Sequence, residues 1–189
     1  MADISLNGHV HTITALVHDK PGVLARVAGL FSRRGFNISS LAVGHSETAG
    51  LSRMTFVVEG GDWVVEQVTK QLYKLIDVVR VTNISSESSV VREMALLKVK
   101  SNKDNRAEIM QIVDIFRAGI VDVGKDTVIV EVTGDEGKID ALIKLLQPFG
   151  VRETMRTGRI AMTRGGVAAS TRQAAVPAAE SAPDTEVVP

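Results

Sequence analysis

The chain contains no cysteine among its 189 residues. Disulfides, thiol catalysis and zinc–thiolate sites are therefore excluded by composition alone. Aromatic residues are also scarce, with one Trp, one Tyr and five Phe. Such a chain has few flat surfaces on which the bases of a single-stranded nucleic acid could stack. The composition thus removes several common kinds of catalytic and nucleic-acid-binding protein.

The chain also lacks an excess of either charge, since it has 22 basic and 22 acidic residues. A protein whose main partner is nucleic acid or an anionic membrane normally carries a basic excess. There is no run of about 18 apolar residues, so we expect no membrane-spanning helix. The N-terminal segment MADISLNGHVHT has no basic region followed by an apolar one, so we expect no secretory signal and a cytoplasmic location.

Hydrophobic periodicity predicts two successive cycles of strand, helix, strand, strand, helix, strand. The first cycle occupies residues 10–85, a polar linker covers 85–89, and the second cycle occupies 90–164. The fold class predicted is α+β, with two ferredoxin-like βαββαβ domains in tandem. Residues 165–189 are rich in Ala, Ser and Pro and lack large apolar side chains. We expect this C-terminal tail to be disordered, and residues 1–9 to be frayed.

The residues alone favour a chain without an active site of its own. The motifs G-x-S-x-G, G-x-G-x-x-G, the Walker loop and the metalloprotease helix are all absent. His9 and His11 alternate and could share a metal ion, but no third ligand lies nearby in sequence, which favours a solvated segment. Neither His18 nor His45 has the sequence context of a catalytic triad.

The turn between the first strand and the first helix has two interpretations that the residues leave open. Asp19 is a predicted N-cap, Pro21 suits a first helical turn, and Gly35 suits the left-handed residue after the helix. Alternatively, Gly22 lets a ligand approach the backbone, and the helix N-terminus suits a carboxylate. Asn37, which opens the second strand, can both donate and accept hydrogen bonds.

Several stretches carry a resemblance to a known family. They are DKPGVLARVAGLFSRRGFNISSLAVG, LSRMTFVVEG and QLYKLIDVVRV in the first half, and VVREMALLKV and IFRAGIVDV in the second. The first half resembles the ACT domain, a small ligand-sensing βαββαβ module. Over roughly residues 10–162 the chain is similar to the regulatory (small) subunits of acetolactate synthase, also called acetohydroxyacid synthase.

The resemblance implies an effector site for a branched-chain amino acid, usually valine, to which two subunits contribute. The charged ends of the ligand are expected to meet Asp19, Gly22, Val23 and Asn37. Its side chain is expected to lie near Leu24 and Ile38. Family members vary at positions 18–21, which here read HDKP, so the resemblance indicates the location of the effector more firmly than its identity. No catalytic or metal-binding residue is expected in this chain.

The implied function is regulation of acetolactate synthase in the biosynthesis of valine, leucine and isoleucine. Such a chain binds and activates the catalytic large subunit, confers feedback inhibition by valine, and forms a homodimer through its ACT domains. Thiamine diphosphate, Mg²⁺ and FAD are expected in the catalytic partner, and no cofactor in this chain. The alternatives are a stand-alone amino-acid-sensing ACT-type regulator and a small enzyme. The missing helix-turn-helix and basic patch count against the former.

Overall fold

The computed structural model describes residues 10–165. The first half forms one antiparallel sheet with strand order β2-β3-β1-β4 and two helices against one of its faces. Its elements are β1 (Val10–His18), α1 (Val23–Arg34), β2 (Ile38–His45), β3 (Leu51–Glu59), α2 (Asp62–Leu72) and β4 (Val78–Asn83). The βαββαβ cycle predicted from the sequence is therefore present.

The second half repeats this topology, with strand order β6-β7-β5-β8. Its elements are β5 (Ser89–Lys100), α3 (Arg106–Ile115), β6 (Gly119–Val123), β7 (Thr127–Gly134), α4 (Glu136–Leu146), a short 3₁₀ helix (Gln147–Phe149), β8 (Val151–Arg156) and β9 (Ile160–Thr163). Strand β9 pairs with the beginning of β5. The α+β fold with two tandem ferredoxin-like units is confirmed. The predicted frayed segment 1–9 and disordered tail lie outside the described residues, apart from Gly165.

Each half has its own apolar core between its sheet and its helices. In the first half, alternate residues of β1 and β3 meet the apolar side of α1, and the ring of Phe31 stacks on that of Phe56 at 5.3 Å between centroids. In the second half, Leu97 and Val130 from the sheet meet Ile139 from α4. Truncating a buried Phe or Leu of this kind to Ala costs about 2–5 kcal/mol of stability.

The structure corrects several predicted boundaries. Helix α1 begins at Val23 rather than Pro21, because Gly22 takes a left-handed conformation that ends the turn there. The strand predicted from Ile76 begins at Val78, and Ile76 is 94% exposed. Ser89, predicted to lie in the linker, is the first residue of β5. The last strand predicted within 151–163 is two strands, β8 and β9, separated by residues 157–159.

The face of the first sheet that carries no helix is turned toward the second half. Thr12, Thr14, Thr55 and Val57 on this face are all buried. Residues 157–162 run alongside it, since they line two cavities together with residues of β2 and β3. The two halves are therefore packed against each other as well as joined by the chain.

Candidate functional site

The turn between β1 and α1 is fixed by backbone hydrogen bonds to neighbouring segments. The N–H of His18 donates to the carbonyl of Asp77 and the N–H of Asp19 to that of Gly50, both at 2.8 Å. Gly22 then adopts φ 83°, a region in which a residue with a Cβ is strained. Glycine here lets the chain leave β1 and enter α1 within a few residues. The first turn of α1 contains no acidic side chain, so its N-terminal dipole is not neutralised locally.

A partly buried ion pair supports this glycine turn. The guanidinium of Arg26 donates to Asp77 from Nε at 2.9 Å and from Nη2 at 2.6 Å. The Asp77 side chain is 11% exposed, so its charge is held by this bond in a partly desolvated place. A Cβ built at Gly22 would lie 3.2 Å from Nη1 of the same arginine. A side chain at position 22 would therefore press against the cation.

Asp19 is not the helix N-cap that the sequence predicted. The N-cap of α1 is Gly22, and no side chain caps the helix. The Asp19 carboxylate instead lies 3.2 Å from Nδ1 of His45, at the end of β2. Both side chains are largely exposed. Asp19, four residues before the first residue of α1, pairs with the neighbouring strand because the left-handed Gly22 lies between it and the helix.

The six predicted effector residues fall at opposite ends of the first half. Asp19, Gly22, Val23 and Leu24 lie together at the N-terminus of α1. Asn37 and Ile38 lie beyond its C-terminus, and a helix of 12 residues is about 18 Å long. The strand register agrees, since Ile38 pairs with Val58 whereas His45 pairs with Ser52 at the other end of β3. One chain therefore does not bring all six residues together.

The exposure of these residues limits what each can offer a ligand. The Val23 side chain is buried in the core, so only its backbone faces the turn. Leu24 is 45% exposed and provides an apolar surface beside the turn. Asn37 is exposed and Ile38 is half-buried against the core. The turn thus offers a positive helix end and an apolar patch, and the Asn37 end offers an amide and a second apolar patch.

Sequence reasoning missed His45, Arg26 and Asp77 as neighbours of the turn. They come from β2, the interior of α1 and the segment before β4, and no local pattern marks them. The LSRMT stretch lies in the third strand, β3, as predicted, and the partly exposed Arg53 donates to Glu47 at 3.0 and 3.1 Å. A hydrogen bond from its own backbone, and then the Arg53 guanidinium, lower the pKa of Glu47 below its usual value.

The described residues hold no other obvious site. Within 10–165 no group of three or more His, Cys, Asp or Glu side chains is placed to hold a metal ion. Of the predicted histidine pair, His9 lies outside the described residues, and Nε2 of His11 is 3.0 Å from the carbonyl of Gly60. None of the helices in this part of the chain is long and apolar enough to cross a membrane.

Comparisons with known proteins agree for both halves. Residues 13–80 match the family described as the AHAS small subunit-like ACT domain, and residues 92–165 match the small subunit of acetolactate synthase. A "Probable acetolactate synthase small subunit" of Archaeoglobus fulgidus is 59% identical over 155 residues, which cover 82% of this chain and 97% of the relative. The acetolactate synthase small subunit of Mycobacterium bovis is 51% identical, with 82% and 92% covered.

A solved structure extends the similarity to the fold. The crystal structure of the acetolactate synthase small subunit from Thermotoga maritima has a TM-score of 0.79 and 50% sequence identity, and covers 84% of this chain and 99% of that one. The relatives are matched over nearly their whole length, and across both halves of this chain. The chain therefore belongs to the acetolactate synthase small-subunit family.

Proposed function

We propose that this chain is the regulatory subunit of acetolactate synthase, which activates the catalytic large subunit and makes it sensitive to valine. The observation that carries the proposal is the glycine turn before α1, with its left-handed Gly22 and unneutralised helix end. It lies in the half that matches the ACT domain, in a chain that belongs throughout to the small-subunit family. A carboxylate is the ligand that such a helix end suits.

A homodimer completes this site. Strand β2 is at the edge of the first sheet and pairs only with β3 among residues 10–165. If β2 of a second copy pairs with it antiparallel about a twofold axis between Leu41 and Ala42, Ile38 of one chain comes opposite His45 of the other. His45 lies 3.2 Å from Asp19. The pairing therefore brings Asn37 and Ile38 of the second copy to the glycine turn, and it covers an open strand edge.

The roles of the six residues follow from their chemistry. The valine carboxylate is bound by backbone N–H groups of Gly22 and Val23 at the positive helix end, where the ligand replaces the Lys20 carbonyl that accepts from the N–H of Val23 at 3.3 Å. The ammonium group lies between the Asp19 carboxylate and the amide oxygen of Asn37 of the second copy. The isopropyl group lies between Leu24 and Ile38, each of which presents apolar surface. Charge and shape then both select a small branched amino acid.

The regulated reaction belongs to the catalytic partner. That subunit condenses pyruvate with pyruvate or 2-oxobutyrate in branched-chain amino acid biosynthesis, in the cytoplasm. We assign thiamine diphosphate, Mg²⁺ and FAD to it and none of them to this chain. The small subunit then acts without chemistry of its own, through contacts that change when valine binds.

Titration calorimetry of the purified chain with valine, leucine and isoleucine tests the effector. Analytical ultracentrifugation with and without valine tests the dimer. We expect saturable valine binding, a dimer at micromolar concentration, and valine-sensitive stimulation of the purified large subunit. A monomer in both conditions contradicts the shared site. If the chain stimulates the large subunit but neither binds valine nor makes the enzyme sensitive to it, the effector assignment is contradicted. The assignment as a regulatory subunit would still hold in that case.

A further inference from the structure

A short segment of the second half touches the first sheet directly. Residues 157–159 connect β8 to β9 and cross the end of β2. The backbone N–H of Arg159 donates to Oγ of Ser40 at 2.8 Å, and its Nη1 donates to Oγ1 of Thr12 at 3.3 Å. The Arg159 side chain is only 19% exposed. We call the contact of Ser40 and Thr12 with Gly158 and Arg159 the joint.

The approach of the two backbones at the joint requires glycine. Gly158 has φ 82°, and a Cβ built there would lie 2.8 Å from Oγ of Ser40 and 3.1 Å from the carbonyl oxygen of Leu41. The second of these atoms is backbone and cannot move aside without shifting β2. The halves are therefore in contact at van der Waals distance where β2 passes beneath Gly158.

Residues 156–159, which include the Gly158 and Arg159 side of the joint, also make several hydrogen bonds and ion pairs within the second half. The guanidinium of Arg156 pairs with Glu93, which is 8% exposed as a residue, and also with Asp140 of α4. Thr157 exchanges hydrogen bonds with the backbone of Met94. Arg159 itself pairs with Glu136, the first residue of α4. A displacement at Ser40 is thus passed to α4 and β5 together.

Strand β2 contains an irregularity beside the proposed ligand residues. Its pairing with β3 shifts register between Ile38 and Ser40. The hydroxyl of Ser39, at the irregularity, donates to Glu59 at 2.7 Å within the same sheet. Ser40 is three residues from Asn37, so a change in the conformation of residues 37–38 reaches the joint along one short piece of strand.

We infer that the joint transmits valine binding from the first half to the second, with Ser40 and Arg159 as the residues that couple them. This inference rests on the proposed function. Valine held by Asn37 and Ile38 repositions the start of β2, and the contact with Gly158 and Arg159 passes that shift to α4. Coupling of this kind between two sites typically changes affinity by about 5–150-fold.

The test measures valine binding and valine inhibition separately in two variants, Ser40→Ala and Arg159→Ala. We expect valine affinity of the isolated chain, measured by calorimetry, to stay within about twofold of wild type. In the reconstituted holoenzyme the inhibition midpoint should rise at least about fivefold, or inhibition at saturation should become partial. Ser39→Ala is the matched control, since it removes a neighbouring hydroxyl whose bond stays inside the first sheet, and it should behave as wild type.

Hydrogen exchange gives a second readout that does not need the large subunit. Valine should change the exchange of residues 136–146 in wild type and in Ser39→Ala, but not in Ser40→Ala. Wild-type inhibition and exchange in both joint variants overturn the inference. So does a loss of valine affinity as large as the loss of inhibition, which would make the joint part of the binding site. If wild type itself does not bind valine, the proposed function fails, and the inference with it.

Discussion

The two halves of the molecule have the same pattern of backbone hydrogen bonds at the turn that follows the first strand of each half. In the first half, consecutive N–H groups of His18 and Asp19 donate to the residues preceding β4 and β3. In the second half, Lys100 and Ser101 donate in the same way to Gly150 and Asp126, which precede β8 and β7. The topology and this pattern are therefore the same in both.

The content of the two turns is different. In the second half, Oδ1 of Asn102 accepts from the backbone N–H groups of Asp104 and Asn105. The guanidinium of Arg106 donates to Oγ of Ser101 and to the carbonyls of Gly124 and Lys125. These side chains thus already hydrogen-bond the backbone N–H and carbonyl groups that a ligand at this turn would need. In the first half Gly22 brings no side chain to the turn, so the proposed difference in effector binding is one of the turn and not of the fold that the halves share.

Gly22→Asp is expected to have the largest effect on the valine response, because it fills the turn of the first half with a side chain, as side chains fill the turn of the second half. It places a side chain and a negative charge at the proposed position of the valine carboxylate, in a conformation that already strains a residue with a Cβ. Each hydrogen bond to a charged group contributes about 1.5–3 kcal/mol, so the loss of two should weaken valine binding by about two decades or more. A valine titration of the reconstituted synthase measures this.

The matched control for Gly22→Asp is Asn102→Asp, which adds the same charge at the corresponding turn of the second half while keeping the oxygen acceptor. It should leave the inhibition midpoint unchanged. If both changes reduce valine inhibition equally, a negative charge near either turn disturbs the inhibition. The effect of Gly22→Asp could then not be assigned to the side chain that it places in the first turn. If Gly22→Asp keeps the wild-type midpoint, the assigned site is wrong.

Asn37→Ala should have the next largest effect. It removes one hydrogen bond to a charged end of the ligand, worth about one to two decades in affinity. The side chain is exposed, so the fold and activation of the catalytic subunit should persist. Calorimetry and the activation assay check the two parts. Failure of both Asn37→Ala and Gly22→Asp to activate would assign the turn to the interface with the catalytic subunit.

Arg106→Ala should affect the second half in stability alone. It removes three hydrogen bonds, each contributing about 0.5–1.5 kcal/mol net. The melting temperature should fall by several degrees, because about 1 kcal/mol shifts it by roughly 2–4 °C in a chain of this size. The affinity for valine, measured by calorimetry, should not change. A weakened affinity would mean that the second turn contributes to the effector site after all.

Glu66→Gln should have the smallest effect, since it lies on α2 away from both turns. Glu66 pairs with Lys70 one helical turn later, and both side chains are about 60% exposed. The Lys70 hydrogen bond lowers the pKa of Glu66, so any stabilisation is present at neutral pH and lost as the pH falls through that lowered pKa. Melting curves at pH 7 and pH 3 should differ little between variant and wild type; a fall of several degrees at pH 7 would contradict this.

The fold could be predicted from the sequence because its determinants are local. Alternation in β3 places Met54, Phe56 and Val58 in the core as expected, and the stripe of Val65, Val68 and Leu72 on α2 does the same. The left-handed Gly35 after α1 follows from the known preference of that position. Such signals depend on residues within one or two turns of each other.

The parts that could not be predicted depend on distant residues. Asp77 lies 51 residues from Arg26, and nothing in either segment indicates the pair that supports the glycine turn. Asp19 looked like a helix cap because that role needs only sequence proximity, whereas its contact with His45 needs the folded sheet. Residues 157–159 interrupt the last predicted strand and contact β2, and the sequence of β8 and β9 does not reveal this distant contact.

The position of Arg159 near the end of the described chain also determines the order of events during synthesis. Its partner Thr12 is 147 residues earlier, and the first sheet is complete once Asn83 has left the ribosome. At about 5–20 residues per second, that sheet waits several seconds with its helix-free face uncovered. The threonines on this face keep it polar enough to remain in water during that interval, until residues 157–162 close over it.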